Sequence, residues 1–347
     1  MTRSGVRAMV LVVVLAALLV PAGGTASAQG LQKLTLAYAV PVPGSDSTFL
    51  FAGKQLGFFS DHGIDLEINT TQGTVAATGF VVSGAADLGF GGIEAVPGYA
   101  LQGVPIRVIY VYTYRPIFML GLLKGGPIKT VADLRGKRIG VSTLGSGAVT
   151  VLQYILAEAG MSMKDVTVVP IGVGPSALAA IKKGGEVDAL AFWDTMFAFL
   201  KARGVELDVV QSPKLQQAYA GLGIFALEKT LKERRALVEN FLRGLTKGLA
   251  YAERNPAGAT AAFGKLHPPI AKNLALEEAV YRERLKLHVL PPEAKGQFGY
   301  MDRRHFDALL DVLHTGGIIK DKPPVEKLYT TEFLKAANDV DLSKLPK

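Results

Sequence analysis

Apolar and polar side chains alternate along residues 33–40, the period of a strand with one buried face. Residues 48–56 read as a short helix closed by Gly57, and residues 63–68 as a turn running into a second strand. A helix over 93–101 ends at Gly103, and the apolar run 106–112 is a strong strand. Further strands are expected at 117–123, 138–141, 166–169, 207–210 and 221–227. A short helical turn falls at 130–137, and helices at 148–159 and 196–202. Strands alternating with helices in this way argue for parallel α/β sheets. From Glu228 onward the pattern is helical. Leu237, Phe241, Leu245 and Leu249 recur at helical spacing within 231–253, and helices follow at 257–266, 271–287 and 302–313. This tail has no sheet of its own, so it is expected to pack on the first lobe.

One pattern occurs twice. Gly73-Thr74-Val75-Ala76 leads to Gly84-Ala85-Ala86-Asp87, an apolar run and Gly91-Gly92. Gly174-Pro175-Ser176-Ala177 leads to Gly185-Glu186-Val187-Asp188, an apolar run and Trp193-Asp194. In both copies the Asp follows the first Gly by fourteen positions. Each copy reads as a glycine loop, a helix, a Gly-x-x-Asp turn and a buried strand. Thr74 and Pro175-Ser176 suit a helix N-terminus. Such a terminus aims free N–H groups and the positive end of the dipole at whatever precedes it. Two copies in one chain suggest two similar lobes, each offering a loop to a shared cleft. The chain is expected to cross between lobes at 112–116 and to return at 221–227. Residues 29–116 with 228–347 then form a discontinuous lobe I, and residues 117–227 lobe II.

The first residues change the picture of where such a protein works. Arg3 and Arg7 precede an unbroken apolar run over 9–20, broken by Pro21 and Gly23-Gly24, and Ala26-Ser27-Ala28 is an A-x-A cleavage site. The expectation is a leader over residues 1–28, cleaved near Ala28, and export to the periplasm. No later stretch is long enough to span a membrane. The chain has no cysteine, which excludes disulfides, thiolate metal sites, cysteine nucleophiles and a lipid-modified N-terminal cysteine. Net charge is +8, of which Arg3 and Arg7 carry two. The charges are scattered, with no basic stripe, so nucleic-acid binding is not expected. A mild positive field favours capture of anions.

Candidate chemistry gathers at the loops. Residues 140–147, Gly-Val-Ser-Thr-Leu-Gly-Ser-Gly, follow a strand and open a helix like a phosphate loop, but Ser146 stands where a nucleotide-hydrolysing loop needs lysine. What remains is a cradle of backbone N–H groups with the hydroxyls of Ser142, Thr143 and Ser146, next to Gly147. An ordinary capped helix would read the same way. Trp193 is the sole tryptophan; with Asp194 it suits the flat part and a donor group of a ligand, or else a core ring and a helix cap. Glu94 holds the matching place in the first lobe, where a first-turn acid on its own helix is the simpler role. Tyr110, Tyr112 and Tyr114 share one strand face, and Tyr114 at the strand end is the candidate for ligand contact. The five histidines show no metal-binding spacing, and no nucleophile elbow appears. No cofactor and no metal are expected.

Residues 55–68, Gln-Leu-Gly-Phe-Phe-Ser-Asp-His-Gly-Ile-Asp-Leu-Glu-Ile, resemble a signature of the ABC-transporter solute-binding proteins of the nitrate/taurine/alkanesulfonate type. These share their domain with thiamine-pyrimidine precursor-binding proteins. Ser83-Gly84-Ala85-Ala86-Asp87-Leu88-Gly89, the run Asp133-Leu134-Arg135-Gly136-Lys137-Arg138-Ile139-Gly140-Val141, Gly185-Glu186-Val187-Asp188-Ala189 and Tyr329-Thr330-Thr331-Glu332-Phe333-Leu334 resemble further motifs of that family, in order. The resemblance implies a type II periplasmic-binding fold of two α/β lobes joined by two hinge crossings. It implies a monomer that closes on a small molecule and delivers it to the permease of an ABC importer in the inner membrane. Ligand contacts are implied at the first loop (Pro43, Ser45, Thr48), at Gly73, Thr74, Gly92 and Ile93, at Ser142, Ser146 and Gly147, and at Trp193 and Asp194. The repeat adds Gly174, and the strand end Tyr114. The ligand stays open between an anionic and an aromatic or heterocyclic molecule. Enzymes of this fold that use cysteine are not matched, because no cysteine is present. An enzyme without cysteine would need an acid pair such as Glu94 and Asp194 in the cleft, and a sensing subunit for a membrane receptor is a third reading.

Overall fold

The computed structural model describes residues 30–182, 185–210, 212, 214–215 and 221–346. The expected leader and its cleavage site lie outside these residues. Two five-stranded sheets carry the fold. The first holds β1 (Gln32–Tyr38), β2 (Ile64–Thr70), β3 (Leu88–Gly92), β4 (Ile106–Val111) and β10 (Leu222–Leu227), in the order β2-β1-β3-β10-β4. The second holds β5 (Phe118–Leu123), β6 (Arg138–Val141), β7 (Thr167–Pro170), β8 (Ala189–Trp193) and β9 (Leu207–Val210), in the order β7-β6-β8-β5-β9. β1 and β6 each run parallel to both neighbours, while β10 and β5 each run antiparallel to both of theirs. Each sheet's antiparallel strand is the one the chain enters on arriving, inserted between a parallel strand and the edge.

The doubled sequence pattern occupies equivalent places in the two sheets. α2 (Thr74–Val82) follows Gly73 and leads to β3; α5 (Pro175–Ile181) follows Gly174 and leads to β8. Both glycines have positive φ, 99° and 63°, a region that a residue with a Cβ rarely adopts. The paired acids do the same work. Asp87 accepts from the backbone N–H of Thr35 at 2.8 Å, and Asp188 from that of Arg138 at 2.8 Å. Each carboxylate ties down the parallel strand beside it, Asp87 at the middle of β1 and Asp188 at the first residue of β6.

The remaining helices are α1 (Thr48–Gln55), α3 (Val96–Leu101), α4 (Gly147–Glu158), α6 (Asp194–Lys201), α7 (Glu228–Glu233), α8 (Arg235–Arg254), α9 (Pro256–Leu266), α10 (Pro268–Ala271), α11 (Leu274–Leu285), α12 (Arg303–Thr315) and α13 (Leu334–Ala337). None of the described helices is long and apolar enough to cross a membrane. Three expectations are corrected. The helix read over 231–253 is two helices, parted at Arg234, whose backbone leaves the helical region (φ −120°, ψ 29°) and whose guanidinium pairs with Asp87 and the Lys33 carbonyl. The helix read over 271–287 starts at Leu274, because the Asn273 side chain accepts from the Leu276 N–H and caps it. Residues 222–227, placed by sequence in lobe II, pair with β3 and β4 of the first sheet.

The tail also does more than cover the first sheet. α8 and α9 pack on α1, but α11 packs on α6 and α12 on α4. Gln153 of α4 donates to the Gly316 carbonyl at 2.8 Å, just beyond α12. Leu309, Leu310 and Leu313 of α12 are buried, as are Val151, Leu152 and Ile155 of α4. The apolar stripe of α12 therefore finds its partner on the second sheet's helices, and burial rather than chain order decides where a tail helix docks.

Candidate ligand site

The two sheets meet at their loops. Thr143 Oγ1 donates to the Gln72 carbonyl at 2.9 Å, and the Val75 N–H donates to the Gly145 carbonyl at 3.2 Å. The first repeat loop thus lies against the Ser/Gly loop of the other lobe. The contact is close because position 73 is glycine: a Cβ there would sit 2.6 Å from the Gly145 oxygen.

Behind this seam is a narrow cavity of about 30 Å³, walled from both sheets. Tyr38, Phe90, Tyr112, Phe118 and Trp193 supply its aromatic surface. Phe90 and Tyr112 are stacked, with centroids 5.1 Å apart and planes 7° from parallel. Trp193, at the end of β8, lies opposite Phe118 in the ladder. The polar groups are Asp46, Thr74, Ser146 and Arg284, with Gly91, Gly92 and Gly147 leaving backbone within reach.

The charges here are buried and linked. Arg284, on α11, is fully buried and forms a fork on Asp194, Nε to Oδ2 at 2.8 Å and Nη2 to Oδ1 at 2.5 Å. Its Nη1 has no hydrogen-bond partner among the described residues. Burial opposes the Arg284 charge, but Asp194 and Asp46 outweigh it, so the guanidinium stays charged. Asp46 accepts from the Tyr38 hydroxyl at 2.7 Å. Burial pushes the Asp46 carboxyl above its ordinary range, Arg284 and Tyr38 pull it back, and Asp194 raises it again.

Of the residues selected from sequence, Thr74, Gly92, Ser146, Gly147 and Trp193 line the cavity. The others do not. Ser45 turns away to Glu277 of α11. Thr48 caps its own turn through the Ser45 carbonyl at 2.8 Å. Pro43 stays half-buried in that loop. Gly73 serves the seam, and Gly174 opens α5 away from the cavity lining. Ile93 is core. Ser142 is buried behind the loop, with its carbonyl accepting from Gly172 N–H. Asp194 borders a different groove, between α6 and α11, and reaches the cavity only through Arg284. Tyr114 is a correction: its hydroxyl donates to the Val111 carbonyl at 3.1 Å behind the site, and Tyr112 is the ring that forms the wall. Glu94 is another. Its own helix begins only at Val96, so it is not a first-turn acid there; its carboxyl lies against Gly147 at the start of α4.

Sequence reasoning missed Asp46, Tyr38, Phe90 and Arg284. Asp46 lay within the selected loop between the chosen Ser45 and Thr48. Arg284 carried no local signal, since it is one of several cations on an amphipathic tail helix. No group of three or more His, Cys, Asp or Glu side chains able to hold a metal occurs among the described residues.

Residues 45–259, more than half of the chain, match the family model described as NMT1/THI5 like. The chain belongs to this family. Among curated relatives of this NMT1/THI5-like protein is the riboflavin-binding protein RibY of Chloroflexus aurantiacus, 25% identical over 309 residues, 88% of this chain and 86% of that one. Another is the 4-amino-5-hydroxymethyl-2-methylpyrimidine phosphate synthase of Legionella pneumophila, 26% identical over 226 residues, 61% and 67% of the two chains. The fold is shared with the alkanesulfonate-binding protein SsuA from Xanthomonas axonopodis pv. citri, solved bound to MOPS, with a TM-score of 0.64 at 19% identity over 87% of this chain and 99% of that one. The architecture is thus that of periplasmic binding proteins.

Proposed function

We propose that this chain is a periplasmic solute-binding protein that closes on a small, flat, polar organic molecule and hands it to the permease of an ABC importer. The observation that carries the reading is the cavity itself. It is walled by both sheets, and its mouth is held by hydrogen bonds between loops of the two lobes, Thr143 to Gln72 and Val75 to Gly145. A solute seated there touches both lobes, so its binding energy favours the closed form over the open one. The wall favours a ring. Phe90, Tyr112 and Trp193 offer flat apolar surface, while Asp46 and the free edge of Arg284 offer an acceptor and a donor. Export by a cleaved leader and action as a monomer belong to the same proposal.

The observations favour binding over catalysis. The chain has no cysteine. Of the two acids that an enzyme without cysteine would pair, Asp194 has both oxygens taken by Arg284.

The test is a thermal-shift screen of the protein after unfolding and refolding, which removes any co-purified solute. The library holds aminopyrimidines, flavins, aromatic acids, sulfonates and nitrate. A solute present at about a thousand times its Kd adds roughly 4 kcal/mol to stability. The expected result is a hit among the ring compounds that is lost in Tyr112→Leu and kept in Tyr114→Phe. No hit in any class, with turnover of any of these compounds detected instead, would replace the binding reading by the enzymatic one.

A further inference from the structure

The carboxyl group of Glu94 sits in the seam between the lobes, and the chain makes room for it from both sides. A Cβ at Gly92, the last residue of β3, would lie 2.1 Å from Oε2. A Cβ at Gly147, the first residue of α4, would lie 2.0 Å from Oε1. Both glycines line the cavity. Glu94 is only 4% exposed, and neither carboxyl oxygen has a hydrogen bond of good geometry among the described residues.

The place it fills is chemically distinctive. α4 is twelve residues long, and its N-terminus carries the free N–H groups and positive dipole end that hold oxyanions. Here a side chain of the protein already stands at that end. Burial raises the Glu94 carboxyl to about 7, with its own N–H and the Thr74 hydroxyl pulling it back only in part. Glu94 lies behind Gly92 and Gly147, which line the cavity; the acid in the lining itself, Asp46, is also buried, and the one cation there, Arg284, is forked on Asp194. An anionic solute would therefore meet one buried acid in the wall and a second behind Gly92 and Gly147, and share one cation already engaged.

We propose that Glu94 is the residue that sets which solutes the cleft accepts. It takes the position an oxyanion would occupy at the head of α4, so sulfonate-, nitrate- and carboxylate-bearing solutes are refused. An uncharged solute that presents an N–H or O–H to a carboxyl group is held. This rests on the solute-binding reading and narrows its ligand to uncharged ring compounds with donor edges.

The experiment uses methanesulfonate and inorganic sulfate as probes, measured by calorimetry on the wild-type protein, Glu94→Gln and Glu94→Ala. Circular dichroism and cooperative unfolding confirm that each variant is folded, and the isosteric Glu94→Gln stands in if Glu94→Ala is not. The expected result is no saturable binding to wild type and a gain of at least about tenfold in affinity once the carboxyl is removed. Saturable methanesulfonate binding to wild type, as tight as to the variants, overturns the proposal. Folded variants that gain no anion binding overturn it too. Failure of the solute-binding reading itself looks different: no compound of any charge stabilises the wild-type protein.

Discussion

Arg284 and Asp194 meet across the two halves of the molecule. The guanidinium of a tail helix forks on the first residue of α6, with Nε–Oδ2 at 2.8 Å and Nη2–Oδ1 at 2.5 Å. The pair is buried, with the Arg284 side chain at 0% exposure and that of Asp194 at 9%. It joins the tail to the second sheet at the edge of the cavity.

Breaking this pair from one side leaves a charge buried without its partner. Arg284→Met is expected to cost about 3–5 kcal/mol of unfolding free energy. The double variant Arg284→Met/Asp194→Leu is expected to recover most of that loss, because Asp194 is then no longer a buried charge without its forked partner. Urea unfolding of the three proteins checks this. A single variant within about 1 kcal/mol of wild type would show that the two charges are solvated and that the lobes are held elsewhere.

The repeated acids are equivalent in place but not in partners. Asp87 accepts from the Thr35 N–H at 2.8 Å and the Thr35 hydroxyl at 2.9 Å, and also pairs with Arg234. Asp188 accepts from the Arg138 N–H at 2.8 Å, with only a long contact of 3.4 Å to the Arg138 side chain, and is more exposed. Asp87→Ala should therefore cost about 2–3 kcal/mol, and Asp188→Ala about 1 kcal/mol. Equal losses in denaturant unfolding would contradict the assignment of the difference to Thr35 and Arg234.

Glu94 gives the stability of the folded protein a definite pH dependence. Its carboxyl is raised to about 7 in the fold, by burial and with no charged neighbour contributing, against about 4.5 when the chain is unfolded. Between these values the folded state holds a proton that the unfolded state has lost. The contribution is fully present below about 4.5, declines as pH rises, and is gone above about 7. Relative to Glu94→Gln, wild type should lose about 3 kcal/mol between pH 4 and pH 8. Unfolding at pH 4 and pH 8 for both proteins measures it, and the buried Glu253, common to both, cancels. Parallel pH profiles would place the carboxyl in solvent.

Much of the fold was written in local pattern. The strands at 138–141 and 207–210 stand where periodicity places them, and Gly73, Asp87, Gly174 and Asp188 mark the two related units. These are short-range signals: alternation for a buried face, and glycine where φ is positive. The same signals located five cavity residues, Thr74, Gly92, Ser146, Gly147 and Trp193, because loops at the ends of strands converge in any two-lobed α/β arrangement.

What tertiary structure alone decided is which side chains turn inward and which distant segment completes the site. Asp46 rather than Ser45 faces the cavity because Ser45 is drawn to Glu277, more than two hundred residues away. Tyr112 rather than Tyr114 forms the wall because the strand ends at Val111, and the chain then bends to send the Tyr114 hydroxyl back to that residue's carbonyl. Arg284 enters because α11 packs on α6, a docking set by burial of apolar faces that leaves no trace in the spacing of its own residues. Sequence fixes what each segment becomes, since that depends on neighbours a few residues apart. The charge balance of the cleft depends on groups brought together by packing, and only the folded chain decides it.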